Sequence, residues 1–334
     1  MLTRRDIAVG ALVAGVAAVA FVAGMGLLVA RGFDSTGNVR VQANAPAGSA
    51  ADGRVADGVP VLCYHYLRDK SDPLRLLRVF GYVVLSLPLL NDSELWTISV
   101  TEFERQMEYL KARGYQTITL DELYEWQTGQ RELPAKPIVI TFDDGDESAY
   151  DLALPILARL GFRATLFVVT SKVGTRWDNA RCLDWAQLRE LEDSGVFRIE
   201  SHTHDMHYKV GADGAERAVF VAASVHGFKL AGAADWRKAV RDDLARSQAE
   251  IARHIGRPPS FLAWPYGAAN AELDGVAHEA GFASTCTLRA QPNTRATLVG
   301  DSVLPFEISR YAITARTSLR VFRAILEGTY RPNA

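Results

Sequence analysis

The sequence predicts an α/β fold in which parallel strands alternate with helices, and three observations support this. Short apolar runs rich in β-branched residues recur along the chain, and segments with helical periodicity separate them. Several of these runs end on polar side chains, and the carboxyl ends of parallel strands are where such folds bind ligands. The number of strand–helix units favours a (β/α) barrel over an open sheet.

Composition limits the classes of function. The chain has 334 residues, of which 48% are hydrophobic and 23% charged, so it can bury a large core. A net charge of −2 gives no support for nucleic-acid binding. Its cysteines, Cys63, Cys182 and Cys286, form no CxxC pair, which argues against a disulfide scaffold or a thiolate zinc cluster. We expect free thiols in the core, with one disulfide as the alternative.

The amino terminus carries an uncharged apolar run from Ile7 to Ala30, with Arg4 and Arg5 before it and Arg31 after it. About 20 apolar residues span a bilayer. The start of the chain also resembles a twin-arginine export signal. Small residues within 43–47 offer a cleavage site, but they lie far from the apolar run. We expect an uncleaved anchor, with a cleaved signal as the alternative.

The predicted organisation has three parts. Residues 1–31 form a single-pass anchor whose arginines stay in the cytoplasm, so the rest lies on the far side of the membrane. Residues 32–58 are rich in Gly, Ala, Asp and Ser and form a flexible linker. Residues 59–334 form the folded domain, with an insertion at about 71–95. The almost wholly apolar stretch Phe80–Leu90 in that insertion either packs on the domain, touches the membrane or forms a lip over a groove.

The domain begins with the apolar run Val59–Tyr64, which ends on His65. A regular alternation follows. Further strands are predicted at 115–119, up to Phe142, and at 164–169, 196–200, 261–264, 282–286 and 308–313. Helices are predicted at 101–113, 121–127, up to Leu160, and at 185–192, 235–254 and 271–280. Residues 209–234 fit neither period and are predicted to be a long loop with one short element.

Two clusters suggest a metal site. The buried run Ile138–Phe142 ends on Asp143 and Asp144, whose mutual repulsion must raise one pKa or be neutralised by a cation. The second cluster, His202, His204 and His207, follows the strand ending at Glu200. On a helix His202 and His207 would lie about 140° apart, so a loop must wrap round the ion. His204 is the reserve ligand, since it could share a strand face with His202.

One carboxylate and two histidines leave open positions for water and substrate, as catalytic zinc sites do. Non-haem iron oxygenases use the same ligand types, commonly as His-x-Asp or His-x-Glu, and that tripeptide is absent here. The spare aspartate favours hydrolysis, because metal-activated water needs a base. A third cluster, Trp264-Pro265-Tyr266-Gly267, is either a structural turn or a wall for a sugar ring.

These motifs in this order resemble the polysaccharide deacetylase (NodB homology) family, from about Val59 to Ile313. The resemblance implies a distorted (β/α) barrel, a divalent metal, and removal of acetyl groups from a polysaccharide. His202 and His207 are five residues apart where most members have four, and Tyr64-His65 stands at the front. Both features resemble the circularly permuted branch that deacetylates poly-β-1,6-N-acetylglucosamine in biofilm export. The usual arginine before the Pro-Tyr-Gly turn is missing, and Arg310 is the candidate replacement.

The mechanism implied by this resemblance assigns a role to each residue. Asp144, His202 and His207 hold the metal, expected to be Zn²⁺, and Asp143 is the general base. His65 protonates the leaving amine, and the N–H of Tyr266 helps to hold the oxyanion. The substrate-binding residues are then Trp264, Pro265, Tyr266, Gly267 and Arg310. A non-catalytic glycan-binding protein on the same fold and a deacetylase of β-1,4 glycans are the alternatives.

Overall fold

A computed structural model of the chain describes residues 58–69, 95–177, 180–212, 214–230, 235–295 and 307–331. Within them a nine-stranded parallel sheet runs in the order β14-β13-β12-β9-β6-β5-β1-β15, with β4 also paired to β5. The strands of this sheet are β1 (Val61–Tyr64), β4 (Gln116–Thr117), β5 (Pro137–Phe142), β6 (Ala164–Val168), β9 (Phe197–Ser201), β12 (Phe261–Ala263), β13 (Ser284–Cys286), β14 (Glu307–Ile308) and β15 (Tyr311–Ala312).

Helices connect successive strands and cover the outside of the sheet. They are α1 (Val100–Ala112), α2 (Leu120–Gln127), α3 (Leu154–Leu160), α4 (Trp185–Asp193), α5 (Val219–His226), α6 (Trp236–Ile255), α7 (Ala271–Glu279) and α8 (Leu319–Leu326). A π-helix at Ala149–Ala153 runs directly into α3. Short two-stranded sheets pair β2 (Tyr66–Arg68) with β3 (Thr97–Ser99), β7 (Arg176–Trp177) with β8 (Ala180–Arg181), and β10 (Lys209–Ala212) with β11 (Ala215–Ala218).

The two faces of the sheet pack into different parts of the core, because side chains alternate along a strand. Val61, Val139, Phe167, Phe261 and Ile308 belong to one cluster on the inner face. Their alternate neighbours, such as Leu62, Ile140 and Leu166, pack in the larger cluster with the helices. The inner-face positions of β1 and β5 continue upwards to His65 and Asp143, so strand periodicity alone brings both side chains to the mouth of the sheet.

The two edge strands of the sheet are consecutive in the chain. Strand β14 pairs with β13, strand β15 pairs with β1, and Ser309 and Arg310 lie between them. Asn293 holds the segment between β14 and β15 in place. Its side chain donates to the carbonyl of Ser309 at 2.8 Å and accepts from the N–H of Ser309 at 2.9 Å. The sheet therefore curls into a half-barrel whose edges are linked by one kinked segment, which agrees with the predicted α/β fold.

Two sequence-based expectations can be compared with the structure at this level. The prediction of a long loop at 209–234 is wrong, because this segment contains the β10–β11 hairpin and helix α5. The expectation for the cysteines is confirmed, since all three are buried and none of them forms a disulfide.

The predicted anchor, the linker up to Asp57 and most of the insertion lie outside the described residues. Among the residues that are described, no helix is both long enough and apolar enough to cross a membrane.

Candidate active site

The carboxyl ends of β1, β5 and β9 open into one cavity of about 710 Å³. His65 follows β1, Asp143 and Asp144 follow β5, and His202 follows β9. All four line the cavity together with His207. The parallel sheet thus gathers residues that are far apart in the sequence, because the carboxyl ends of its strands meet at one edge.

Asp144, His202 and His207 form the compact group expected of a metal site. Oδ1 of Asp144 lies 3.6 Å from Nε2 of His202 and 3.4 Å from Nε2 of His207. The ligand atoms of the three residues all lie within 4.8 Å of one another. Asp144 Oδ1 is buried and has no hydrogen-bond partner among the described residues, which is costly for a carboxylate unless a cation occupies the site.

The histidines are prepared to act as neutral ligands. Burial lowers the pKa of His202 and of His207 to about 4, so both rings carry a lone pair at neutral pH. Nδ1 of His202 lies 2.7 Å from the carbonyl oxygen of Ala263, which fixes the proton on Nδ1 and leaves Nε2 to bind. One carboxylate oxygen and two imidazole nitrogens are a donor set that fits a divalent ion such as Zn²⁺.

Backbone strain is concentrated at this site. Within the described chain, the three non-glycine residues with positive φ are Asp144 at 73°, Thr203 at 73° and Tyr266 at 61°. Each such conformation costs on the order of 1–3 kcal/mol and persists only where the surrounding structure holds it. All three lie in the loops that follow β5, β9 and β12, and each of these loops contributes residues to the cavity wall.

Asp143 is held by an arginine and does not belong to the group of three candidate metal ligands. Arg310 is fully buried and forms a bidentate pair with Asp143, with Nη1 to Oδ1 at 2.7 Å and Nη2 to Oδ2 at 2.9 Å. Burial alone would raise the pKa of Asp143, but the Arg310 guanidinium outweighs it and the pKa lies well below its usual range. Cys63 donates a weak third hydrogen bond, from Sγ to Oδ2 of Asp143 at 3.4 Å.

His65 lines the same cavity at the end of β1, the strand next to β5. Its ring stacks on Trp96 with centroids 4.3 Å apart. The polar atoms of Cys63, His65 and Asp143 lie within 4.8 Å of one another. The predicted acid and the predicted base are therefore neighbours, although 78 positions separate them in the sequence.

Comparison with known proteins identifies the domain. The family described as "Polysaccharide deacetylase" matches residues 130–285, which include both aspartates, both candidate ligand histidines and the Trp264–Gly267 turn. The chain carries a polysaccharide deacetylase domain. His65 and Arg310 fall outside the matched residues, one on each side of them.

Relatives of the deacetylase domain support the resemblance to the permuted branch. The chain is 30% identical over 213 residues to the poly-beta-1,6-N-acetyl-D-glucosamine N-deacetylase of Staphylococcus epidermidis, covering 63% of this chain and 65% of that protein. It is 26% identical over 269 residues to the Escherichia coli protein of the same name, covering 72% of this chain and 40% of that protein. The chain thus spans less than two thirds of these relatives.

A solved structure is also similar. IcaB from Ammonifex degensii shares 27% identity and a TM-score of 0.62, over 82% of this chain and 97% of that chain. The resemblance to the polysaccharide deacetylase family, predicted from the order of the motifs, is therefore confirmed.

The structure places four of the five predicted substrate-binding residues away from the cavity wall. Arg310 is buried behind Asp143 and does not line the cavity, because its guanidinium is taken up by the base. Trp264 is fully buried, packs on Phe220 and donates from Nε1 to Asp274 at 3.0 Å. Pro265 and Gly267 do not line the cavity either. Tyr266 does line it, 38% exposed, with its ring centroid 4.5 Å from that of His207.

His204 lies beside the candidate metal site, but its ring makes a different contact. Its Nδ1 lies 2.9 Å from Oγ1 of Thr170, and its backbone N–H donates to Asp243 at 2.8 Å. Asp243 also accepts from the N–H of Asp205 at 2.8 Å. This carboxylate on α6 holds the loop between His202 and His207 in its wrapped form.

Sequence reasoning missed much of the cavity wall. Trp96, Trp177, Tyr208, Lys209, Glu216 and Leu288 line it along with the predicted residues. Trp96 lies next to the insertion. The other residues come from short hairpins or loops whose apolar residues do not recur with a helical or strand period. Tyr208 directly follows His207, and this adjacency was the one signal that could have found it. Tyr66, next to His65, was also missed.

Proposed function

We propose that this protein is a metal-dependent N-deacetylase that removes acetyl groups from N-acetylglucosamine units of an extracellular polysaccharide. The observation that carries the proposal is the paired arrangement of the two adjacent aspartates. Asp144 directs a buried oxygen, which has no hydrogen-bond partner among the described residues, at two neutral histidines. Asp143 is held ionised beside His65, which lies at the end of the neighbouring strand. This is a metal site next to an acid–base pair, which amide hydrolysis requires.

The names of the relatives point to the substrate class. Proteins from Staphylococcus epidermidis and Escherichia coli that align with this chain are named as deacetylases of poly-β-1,6-N-acetyl-D-glucosamine. The cavity suits a sugar, since Trp96, Trp177 and Tyr266 place aromatic rings on its walls. We therefore place β-1,6-linked N-acetylglucosamine first among the substrates.

The residues divide the chemistry as follows. Asp144, His202 and His207 would hold a divalent ion, which when bound would polarise the amide carbonyl and acidify water. Asp143 accepts the proton of the attacking water and is kept in place by Arg310. His65 donates a proton to the leaving nitrogen, since an amine anion is a very poor leaving group. The backbone N–H of Tyr266 stabilises the oxyanion.

Acetate release from defined oligomers tests this function. Purified protein loaded with Zn²⁺ should release acetate from β-1,6-linked N-acetylglucosamine oligomers, and less from β-1,4-linked ones. A preference for the β-1,4 series would assign a chitin-type or peptidoglycan substrate instead. Binding of oligomers without acetate release, with metal present, would indicate a glycan-binding protein and refute the enzyme.

We also propose that the domain works outside the cytoplasm, held by the apolar run Ile7–Ala30. The support is the absence of charge in that run and the arginines at positions 4 and 5 before it. Cell fractionation should find the intact chain in the membrane fraction. A soluble product beginning between Pro46 and Gly48 would replace the anchor with a cleaved signal.

A further inference from the structure

Tyr66 makes a contact that the chemistry above leaves unused. Its hydroxyl donates a 2.6 Å hydrogen bond to Oδ2 of Asp144, and its side chain is 7% exposed. The other oxygen of Asp144, Oδ1, is the one that faces the two histidines. The two oxygens of one carboxylate therefore have separate partners, a tyrosine on one side and the candidate metal position on the other.

This contact restrains the orientation of Asp144. The terminal torsion of an aspartate is broad, so the carboxylate plane turns freely unless a partner holds it. Within the described residues the hydroxyl of Tyr66 is the one hydrogen-bond partner that the structure gives to this carboxylate. Asp144 also has a strained backbone, with φ at 73°, so the side chain starts from an unusual direction.

Tyr66 is itself fastened to the loop that carries Asp144. The N–H of Leu67 donates to Oγ of Ser148 at 3.0 Å. Arg68 forms a bidentate pair with Asp146, at 2.7 Å and 2.9 Å. Strand β2 therefore lies along the loop from Asp144 to Ser148, and three successive residues of the strand contact it.

We propose that Tyr66 is a positioning residue for the metal, which sets metal affinity by turning Oδ1 of Asp144 towards His202 and His207. The inference rests on the metal site of the proposed function. A phenol has one proton to donate, and here it is given to Asp144. Tyr66 thus orients the metal ligand Asp144 and does not protonate the leaving amine.

Replacing Tyr66 by phenylalanine tests the assignment, because Tyr66→Phe removes the hydroxyl and keeps the ring. Tyr64→Phe is the matched control: it removes a buried tyrosine hydroxyl from the same segment, one that donates to Gln106 at 2.8 Å. Zn²⁺ affinity is measured by chelator competition, and Co²⁺ absorption spectra report the ligand geometry. Tyr66→Phe should bind Zn²⁺ on the order of 10–100-fold more weakly and change the Co²⁺ spectrum, as loss of a ligand's outer partner does. Tyr64→Phe should change neither.

The possible outcomes separate this inference from the proposed function. A Tyr66→Phe protein with wild-type Zn²⁺ affinity and Co²⁺ spectrum would overturn the assignment. Unchanged affinity with a lower kcat at saturating Zn²⁺ would also overturn it, because Tyr66 would then act on the substrate. Wild-type protein that binds Zn²⁺ but releases no acetate would refute the proposed function alone.

Discussion

At the residue scale, two adjacent carboxylates are given different tasks by their partners. Repulsion between neighbouring aspartates requires either a raised pKa or a cation. For Asp143 the protein itself supplies the cation, because the buried guanidinium of Arg310 pairs with its carboxylate. Asp144 is turned away from Arg310 and faces His202 and His207, so its charge is left for an ion from solution. The Asp-Asp sequence thus separates the proposed base, Asp143, from the proposed metal ligand, Asp144.

Metal binding should depend on three residues and not on the fourth. Asp144→Ala, His202→Ala and His207→Ala should each empty the site, because each removes one member of the carboxylate–imidazole group at the mouth of the sheet. His204→Ala should keep its metal, since the ring contacts Thr170 instead. Metal content after dialysis measures this. An empty site in His204→Ala with a filled one in His207→Ala would reverse the ligand assignment.

Loss of His65 should remove the proton donor without removing the metal. His65→Ala should keep bound metal and lose kcat on the order of 10²–10⁴-fold, the usual contribution of a positioned acid or base. The high-pH limb of the rate profile should disappear with it. Near-normal turnover of a metal-loaded His65→Ala protein would refute this role.

At the element scale, the parts that could be predicted are those with a strong local period. The runs ending at Tyr64 and Phe142 are apolar, and the run at 196–200 alternates apolar and polar residues. They form β1, β5 and β9, with the site residues at their ends. Segment 209–234 could not be predicted, because its hairpin has no alternation of apolar and polar residues and is held by tertiary contacts. Trp264 was predicted to contact substrate but is buried, for a similar reason. The sequence shows an aromatic residue at a strand end, but it does not show that Phe220 and Asp274 contact this side chain.

The turn after β12 is fixed by a close backbone approach, which gives a test at this scale. A Cβ on Gly267 would lie 2.5 Å from the backbone nitrogen of Leu288, and φ there is +64°. Gly267→Ala should therefore lower the melting temperature and raise KM, because the turn must move and carries Tyr266 with it.

Gly129→Ala is the control for this test. Its φ is +77° but no atom lies within 4 Å of the new Cβ, so it isolates the cost of φ alone. Equal melting temperatures for the two variants would show that the contact with Leu288 is not restrictive.

At the scale of the whole molecule, the strand order of the curled sheet explains how distant segments share one site. The order β15-β1-β5 places the first and last strands side by side next to the strand that carries the aspartates. His65 arrives from the front of the domain and Arg310 from its end, and both reach Asp143. Chain order matters little to such a site, because the sheet determines which strand ends meet. The sequence alone could suggest Arg310 as a replacement, but only the pairing of β15 with β1 shows what it contacts.

The whole fold should lose stability in acid when the metal is absent. Burial lowers the pKa of His202 and His207 to about 4 in the folded protein, from an ordinary value of 6.5. Between these values the unfolded chain binds more protons than the folded one, so stability is full above pH 6.5 and falls as the pH drops towards 4. The loss should be on the order of a few kcal/mol for the pair. Asp143 extends the loss to lower pH, because its folded pKa is also depressed.

Zn²⁺ should raise the melting temperature at neutral pH and raise it less in acid, because protons and metal compete for the same nitrogens. Thermal unfolding in EDTA and in Zn²⁺, across this pH range, measures both effects. A double variant, His202→Ala with His207→Ala, is the control and should show a flatter pH dependence without metal and no response to Zn²⁺. If wild type and double variant lost stability equally on acidification, the buried neutral histidines would not be the cause. The acid sensitivity would then have to come from other buried ionisable groups of the barrel.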